Sequence, residues 1–166
     1  MRVSEDALET VSRPIEIEEA YRAHAGRLWR SLVAYTASRE IATEAVAEAF
    51  AQALARGDAL ADAGAWVWKA GFRIAAGQMA RRTSSSPPPD RPVIEPGYEQ
   101  AEDADALIRA LASLPSRQRA VVVLRYYADM PLRDIAATLS IAVPTVGVHL
   151  TQARRRLRDL LEETYE

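Results

Sequence analysis

The chain has 166 residues with no cysteine, which excludes disulfides, thiolate catalysis and cysteine-built metal sites. Its hydrophobic content of 49% is ample for a core, and much of it is alanine, a strong helix former. The net charge of −2 averages unlike parts: residues 1–82 hold 11 basic and 11 acidic residues, 83–106 hold 1 and 6, and 107–166 hold 9 and 6. The basic surplus therefore lies in the last third and the acid in the middle.

In chain order, the acidic start MRVSEDALETVSRPIEIEEA lacks the apolar run of a signal peptide, so a cytoplasmic protein is expected. Residues 1 to about 14 are read as a tail ending at Pro14. A helical stripe then runs through Ile17, Tyr21, His24, Leu28, Leu32 and Tyr35, with His24 expected as a packed core residue. After Ser38-Arg39-Glu40 a second helix turns Ile41, Ala45, Ala49, Phe50 and Ala53 inward. Its opposite face carries Glu40, Glu44 and Glu48, an acidic ridge that is either a solvated face or a docking surface. Arg56-Gly57-Asp58 ends it.

A third helix, from about Gly64 to Arg82, sets Trp66, Ala70 and Ile74 on one face. Trp68, Lys69, Phe72, Arg73, Arg81 and Arg82 lie on or near the rest. Aromatics interleaved with cations suit single-stranded nucleic acid, because bases stack on rings while cations track phosphates. Ordinary packing between helices accounts for the same pattern. Residues 83–106, rich in Ser, Pro and acid, read as a linker and mark a domain boundary.

Helical pattern resumes near Asp105 with Leu107, Leu111 and Leu114. Ala120, Val123, Leu124 and Tyr127 form the next stripe, expected to pack beneath the segment from Leu132 to Arg158. That segment, LRDIAATLSIAVPTVGVHLTQARRRLR, is the most informative in the chain. Leu132, Ile135, Ala136 and Leu139 make one short amphipathic helix, opened by Pro131. Ser140-Ile141-Ala142 interrupts, and Val146, Leu150, Ala153 and Leu157 make a second. Two such helices around a tight turn describe a helix-turn-helix, whose second helix enters the DNA major groove. The outward face of that helix carries Thr145, Val148, His149, Gln152, Arg155 and Arg156. With Arg154 and Arg158, its last two residues form a cationic cluster fit for phosphates.

Between Leu114 and Arg158 the chain carries Leu-Pro, Gln-Arg, Leu-Arg-Tyr, Asp-Ile-Ala and Thr-Val in order. ATEAVAEAF, from Ala42 to Phe50, precedes them, as do Trp66 and Arg81-Arg82. In these features the chain resembles the extracytoplasmic-function group of bacterial sigma factors, from about Ile15 to Glu163. The resemblance implies an all-α protein of two small helical domains, 15–82 and 107–164, joined by the Ser/Pro-rich acidic linker 83–106. It implies an RNA polymerase subunit whose first domain binds core and melts the minus-ten element, and whose second reads the minus-thirty-five element. By it Glu44 and Glu48 face core polymerase, and Trp68, Lys69, Phe72 and Arg73 lie near the melted strand. Thr145, Val148, His149, Gln152, Arg155 and Arg156 then face DNA, and an anti-sigma factor is a further expected partner.

The chain departs from the family at several positions. Glu44 stands for a usual Asp, Ala47 for Gln, Arg73 for Asn and Gly77 for Asp. Gly147, His149 and Gln152 replace positions that are commonly basic. Two other readings stay open: a sigma-like protein that binds a partner without initiating transcription, and a freestanding helix-turn-helix regulator. An enzyme is not expected, since no phosphate loop, triad or metal cluster stands in the sequence. Neither cofactor nor membrane span is expected.

Overall fold

The structure is a computed structural model that describes residues 5–85 and 100–165. The linker reading of residues 83–106 lies mostly outside these limits; helix reaches Ser85 on one side and resumes at Gln100 on the other. Every regular element among the described residues is helical: α1 (Glu5–Thr36), α2 (Arg39–Arg56), a 3₁₀ turn (Gly57–Ala59) and α3 (Ala63–Ser85) come first. They precede α4 (Gln100–Ser113), α5 (Ser116–Val122), a π-helical turn (Val123–Tyr127), α6 (Leu132–Leu139) and α7 (Val143–Tyr165). No single helix among the described residues is long and apolar enough to cross a membrane.

The first correction concerns α1. Its helix begins at Glu5, not near Ile17, and runs through Pro14. Proline has no N–H to give to the helix, which nevertheless continues past it. Downstream, the predicted stripe packs with one exception. Leu28, Leu32 and Tyr35 are buried and Ile17 nearly so, whereas Tyr21 is exposed and lays its ring edge-on against Phe50, centroids 5.0 Å apart.

Ser38 caps α2, its hydroxyl accepting from the backbone N–H of Ile41 at 3.2 Å. All five predicted inward residues of α2 are buried. Gly57 ends it at φ 45°, a left-handed conformation that a glycine adopts without strain. The three helices pack on one another, and at their centre Gly71 of α3 meets Leu28 so closely that an added Cβ would lie 3.1 Å from it.

A second correction falls on Tyr127, expected on the apolar stripe but 55% exposed. The π turn is the cause. The N–H of Ala128 reaches back five residues to Val123 O at 3.0 Å. That extra residue per turn shifts the stripe off Tyr127 and leaves Val121, Val122, Val123 and Leu124 all buried.

The core does not stop between the halves. Buried residues of α1, α2 and α3 form one cluster with Ala120, Val121, Val123, Leu124, Ile135, Val146 and Leu150. A smaller cluster of Leu111, Leu114, Val122 and Ala153 joins α4 to α5 and α7. Polar contacts stitch the same seam. The Tyr35 and Ser116 hydroxyls lie 2.6 Å apart, Arg119 Nη1 donates to Tyr35 O at 3.1 Å, and Arg27 donates to Ala128 O.

Candidate nucleic-acid interface

The helix-turn-helix is built as its residues predict. Pro131, at φ −67° and ψ 155°, stands just before α6 as its N-cap, and its carbonyl accepts from the N–H groups of Asp134 and Ile135 at 3.0 and 3.1 Å. Ile135 and Ala136 are buried, and small Ala136 allows α6 and α7 to approach. Ser140 closes α6 in the left-handed conformation at φ 55°. Two backbone bonds complete the stop: Ile141 N–H to Ala136 O at 3.0 Å and Ser140 N–H to Ala137 O at 3.4 Å. The chain leaves that turn at 100° to its previous course, within the range of helix-turn-helix motifs. Val146, Leu150 and Ala153 then hold α7 to the core, with α5 packed against it as expected.

With that stripe inward, the opposite face is set. Thr145, Val148, Gln152, Arg155 and Arg156 are exposed, and His149 is half-buried. These six stand together along one side of α7. Thr151, Gln152, Arg155 and Arg156 line a shallow depression on it, and Thr151, Arg154, Arg155 and Arg158 line another beside it. Thr151 is a site residue the sequence reading passed over. Its hydroxyl donates to Gly147 O at 3.0 Å. Gln152 is held from behind, its Oε1 accepting from Nε2 of buried Gln118 at 3.1 Å. Arg154 differs from its neighbours: it lies over the Tyr126 ring at 5.5 Å and donates to the Tyr126 hydroxyl at 2.5 Å. Nothing in the sequence signals that tie, since it joins residues 28 apart through the π turn.

The third helix places its rings and its cations differently. Trp68 and Phe72, read as lying near a melted strand, are 3% and 2% exposed. The reason is that α3 packs against α1, α2 and α6 and so keeps little free face. Trp68 stacks near Phe72, Phe72 packs on Tyr35, and the Trp68 indole N–H donates to Nδ1 of His24 at 3.2 Å. Arg27 sits over the Trp68 ring, 5.9 Å from its centre. His24 is thus a half-buried packing residue, as expected. Lys69 and Arg73 are exposed, so the cations are presented without the rings. An open groove runs along the seam between the halves, with His24, Arg27 and Trp68 on one wall and Met130, Asp134 and Thr138 on the other.

On α2, Glu40, Glu44 and Glu48 are all exposed, as the ridge requires. Glu40 pairs with Arg82 at 2.7 Å and Glu48 accepts from Gln52 at 2.8 Å. Among the described residues no group of three His, Cys, Asp or Glu side chains could hold a metal ion.

Likeness to known proteins divides along the chain in the same way. Residues 104–157 match the family model described as Sigma-70, region 4. Over 69 residues the chain is 39% identical to the RNA polymerase sigma-E factor of Streptomyces antibioticus, covering 42% of this chain and 38% of that protein. It is 36% identical over 69 residues to RNA polymerase sigma factor SigF of Mycobacterium tuberculosis, 42% of this chain and 26% of that protein. The match thus spans well under half the length of each relative. Two solved structures extend the likeness as fold. One is the sigma factor RpoE in complex with the anti-sigma factor NepR from Bartonella quintana: TM-score 0.74, 21% identity, 87% of this chain and 96% of that one. The other is CnrH in complex with the cytosolic domain of CnrY: TM-score 0.70, 18% identity, 95% of this chain and 94% of that one. Residues 104–157 are therefore similar to sigma-70 region 4, and over most of the chain the likeness to the two solved structures is one of fold.

Proposed function

We propose that the protein is an extracytoplasmic-function sigma factor that directs RNA polymerase to promoters. One observation carries this reading: a helix-turn-helix matched to sigma region 4 presents a polar, cationic helix face within a chain folded like RpoE over most of its length. In this reading the α7 face of Thr145, Val148, His149, Gln152, Arg155 and Arg156 docks on the minus-thirty-five element. The arginines neutralise phosphates and the residues before them meet base edges. Glu44 and Glu48 on the exposed ridge of α2 engage core polymerase.

Residues 15–82 and 107–164 then act as two domains that separate in the polymerase complex. Separation draws α6 away from α3 and frees Trp68 and Phe72, beside Lys69 and Arg73, for an unpaired strand of the minus-ten element. The partner proteins in both of these structures support a protein partner for this chain as well.

The experiment is a titration of labelled protein with core RNA polymerase without DNA, followed by transcription in vitro from a selected promoter. Saturable binding, weakened when Glu44 and Glu48 are reversed to Lys, and promoter-dependent transcripts are the expected results. Core binding without transcripts would favour the sigma-like, non-initiating reading, to which the burial of Trp68 and Phe72 lends some weight. DNA binding without core binding would favour a freestanding regulator.

A further inference from the structure

The entry half of α7, Val143 to Ala153, contains no lysine or arginine. The first arginine of the helix is Arg154, and it is turned onto Tyr126. Bidentate pairing of a guanidinium with guanine, the commonest specific contact in the major groove, has no donor here. Of the polar groups that remain, two are engaged from within, while Thr145 stays exposed. The Thr151 hydroxyl is bonded to Gly147 O, and the Gln152 carbonyl oxygen to Gln118.

Beside these the face also offers an apolar group outward. Val148 is 54% exposed at the middle of the face, its two methyl groups held by the stiff rotamer of a β-branched side chain in a helix. Beside it stands Gly147. Glycine weakens a helix interior, and here it answers no internal need: its φ is not positive, and an added Cβ would meet nothing within 4 Å. A glycine facing open space on a ligand-facing helix suits the close approach of a backbone to that ligand. The apolar group that the major groove presents is the C5-methyl of thymine.

We propose that Val148 reads a thymine methyl group, and that Gly147 lets α7 seat deeply enough for the contact while Arg155 and Arg156 hold the flanking phosphates. The specificity is for a thymine-bearing step of duplex DNA. It rests on the promoter-recognition reading above.

The test uses the full chain reconstituted with core polymerase. Sequences are selected from duplexes randomised across the minus-thirty-five element, and each thymine of the enriched sequence is then replaced by deoxyuridine, which removes the methyl group alone. One position is expected to lose about three- to fivefold in affinity, the worth of one buried methyl group. Val148→Ala should abolish that loss, and Gly147→Ala should raise the thermal midpoint of the chain while weakening binding to the selected sequence. An enriched sequence with no deoxyuridine-sensitive position, or with a loss that persists in Val148→Ala, overturns this proposal and leaves promoter recognition standing. Core binding with no enriched sequence overturns both.

Discussion

Arg119 ties α1 to the end of α4 and the start of α5, and its removal has a calculable effect. The guanidinium stands where the C-terminal ends of two helices meet the start of α5. It donates to Tyr35 O at 3.1 Å from α1, and to Ala112 O and Leu114 O, each at 3.0 Å, from the end of α4. Burial pulls its pKa below the usual arginine value, and the neighbouring Tyr35 acts the other way. A cation whose pKa falls on folding carries a constant cost below the folded value, relieved only as pH rises from there toward the unfolded value. That window lies well above neutrality, so Arg119 should give stability no pH dependence near neutral. Hydrogen bonds to a charged group contribute about 1.5–3 kcal/mol each when desolvated. Here the group is only half-buried, the carbonyl of Ala112 can be rehydrated, and Nε is buried without a partner. Arg119→Ala should therefore cost about 2–3 kcal/mol rather than the full sum. For a chain of this length that lowers the thermal midpoint by about 5–10 °C, read by circular dichroism. Arg119→Lys keeps the charge but cannot span carbonyls on two helices from one nitrogen, so it should recover less than half of the loss. A loss under about 0.5 kcal/mol in Arg119→Ala, the scale of an ordinary surface substitution, would refute the role assigned to the contact.

Other consequences can be measured in the same way. Gly71→Ala places a methyl group 3.1 Å from buried Leu28 and should destabilise by about 1–2 kcal/mol through overpacking, whereas Gly77→Ala, whose Cβ finds only Arg81 at 3.9 Å, should stabilise by about 1 kcal/mol. Equal effects at the two sites in urea titrations would contradict the packing described. Ser140→Gly relieves a left-handed residue that costs about 1–2 kcal/mol for a side chain, less the entropy the unfolded chain gains, and should stabilise by up to about 1 kcal/mol; a loss of stability would speak against the helix stop drawn here. Arg155→Ala with Arg156→Ala should weaken binding to all DNA sequences and lower the slope of log K against log salt by about 1.8, two phosphates' worth of released ions; an unchanged slope would mark the pair as merely solvated.

The helix-turn-helix was legible because its signals are local. Pro131, the apolar spacing of α6, the break at 140–142 and the stripe of α7 each act within a turn or two of chain, and the observed elements differ little from those expected. The inward face of α2 was legible for the same reason. What the sequence concealed was long-range. Trp68 and Phe72 carry the composition of a strand-binding face, yet whether a ring on α3 is covered depends on how α1, some 40 residues earlier, and α6, some 60 residues later, come to rest against it. Tyr127 fell off its stripe because one extra residue enters the turn before it, and periodicity assumes a constant 3.6 residues per turn. The extension of α1 through Pro14 shows the opposite limit, a strong local signal for a boundary that the helix did not respect.

The contrast between local and long-range order has a consequence for function. The α7 face needs no rearrangement to meet a duplex, since its exposed residues are set by the stripe beneath them and by α5 behind it. The α3 rings are different: they are buried, and on the proposed reading they are reached when the seam opens, a seam held by contacts among Tyr35, Ser116, Arg119, Arg27 and Ala128. Duplex reading and strand capture should therefore respond differently to the same substitution. Arg119→Ala should leave affinity for a minus-thirty-five duplex nearly unchanged, because none of its three acceptors lies on α7. On the proposed reading it should raise affinity for a single-stranded minus-ten oligonucleotide, because part of what holds the seam together is gone. Fluorescence anisotropy with each DNA separates the two effects. A parallel change in both affinities would mean that the closed seam does not gate the α3 rings.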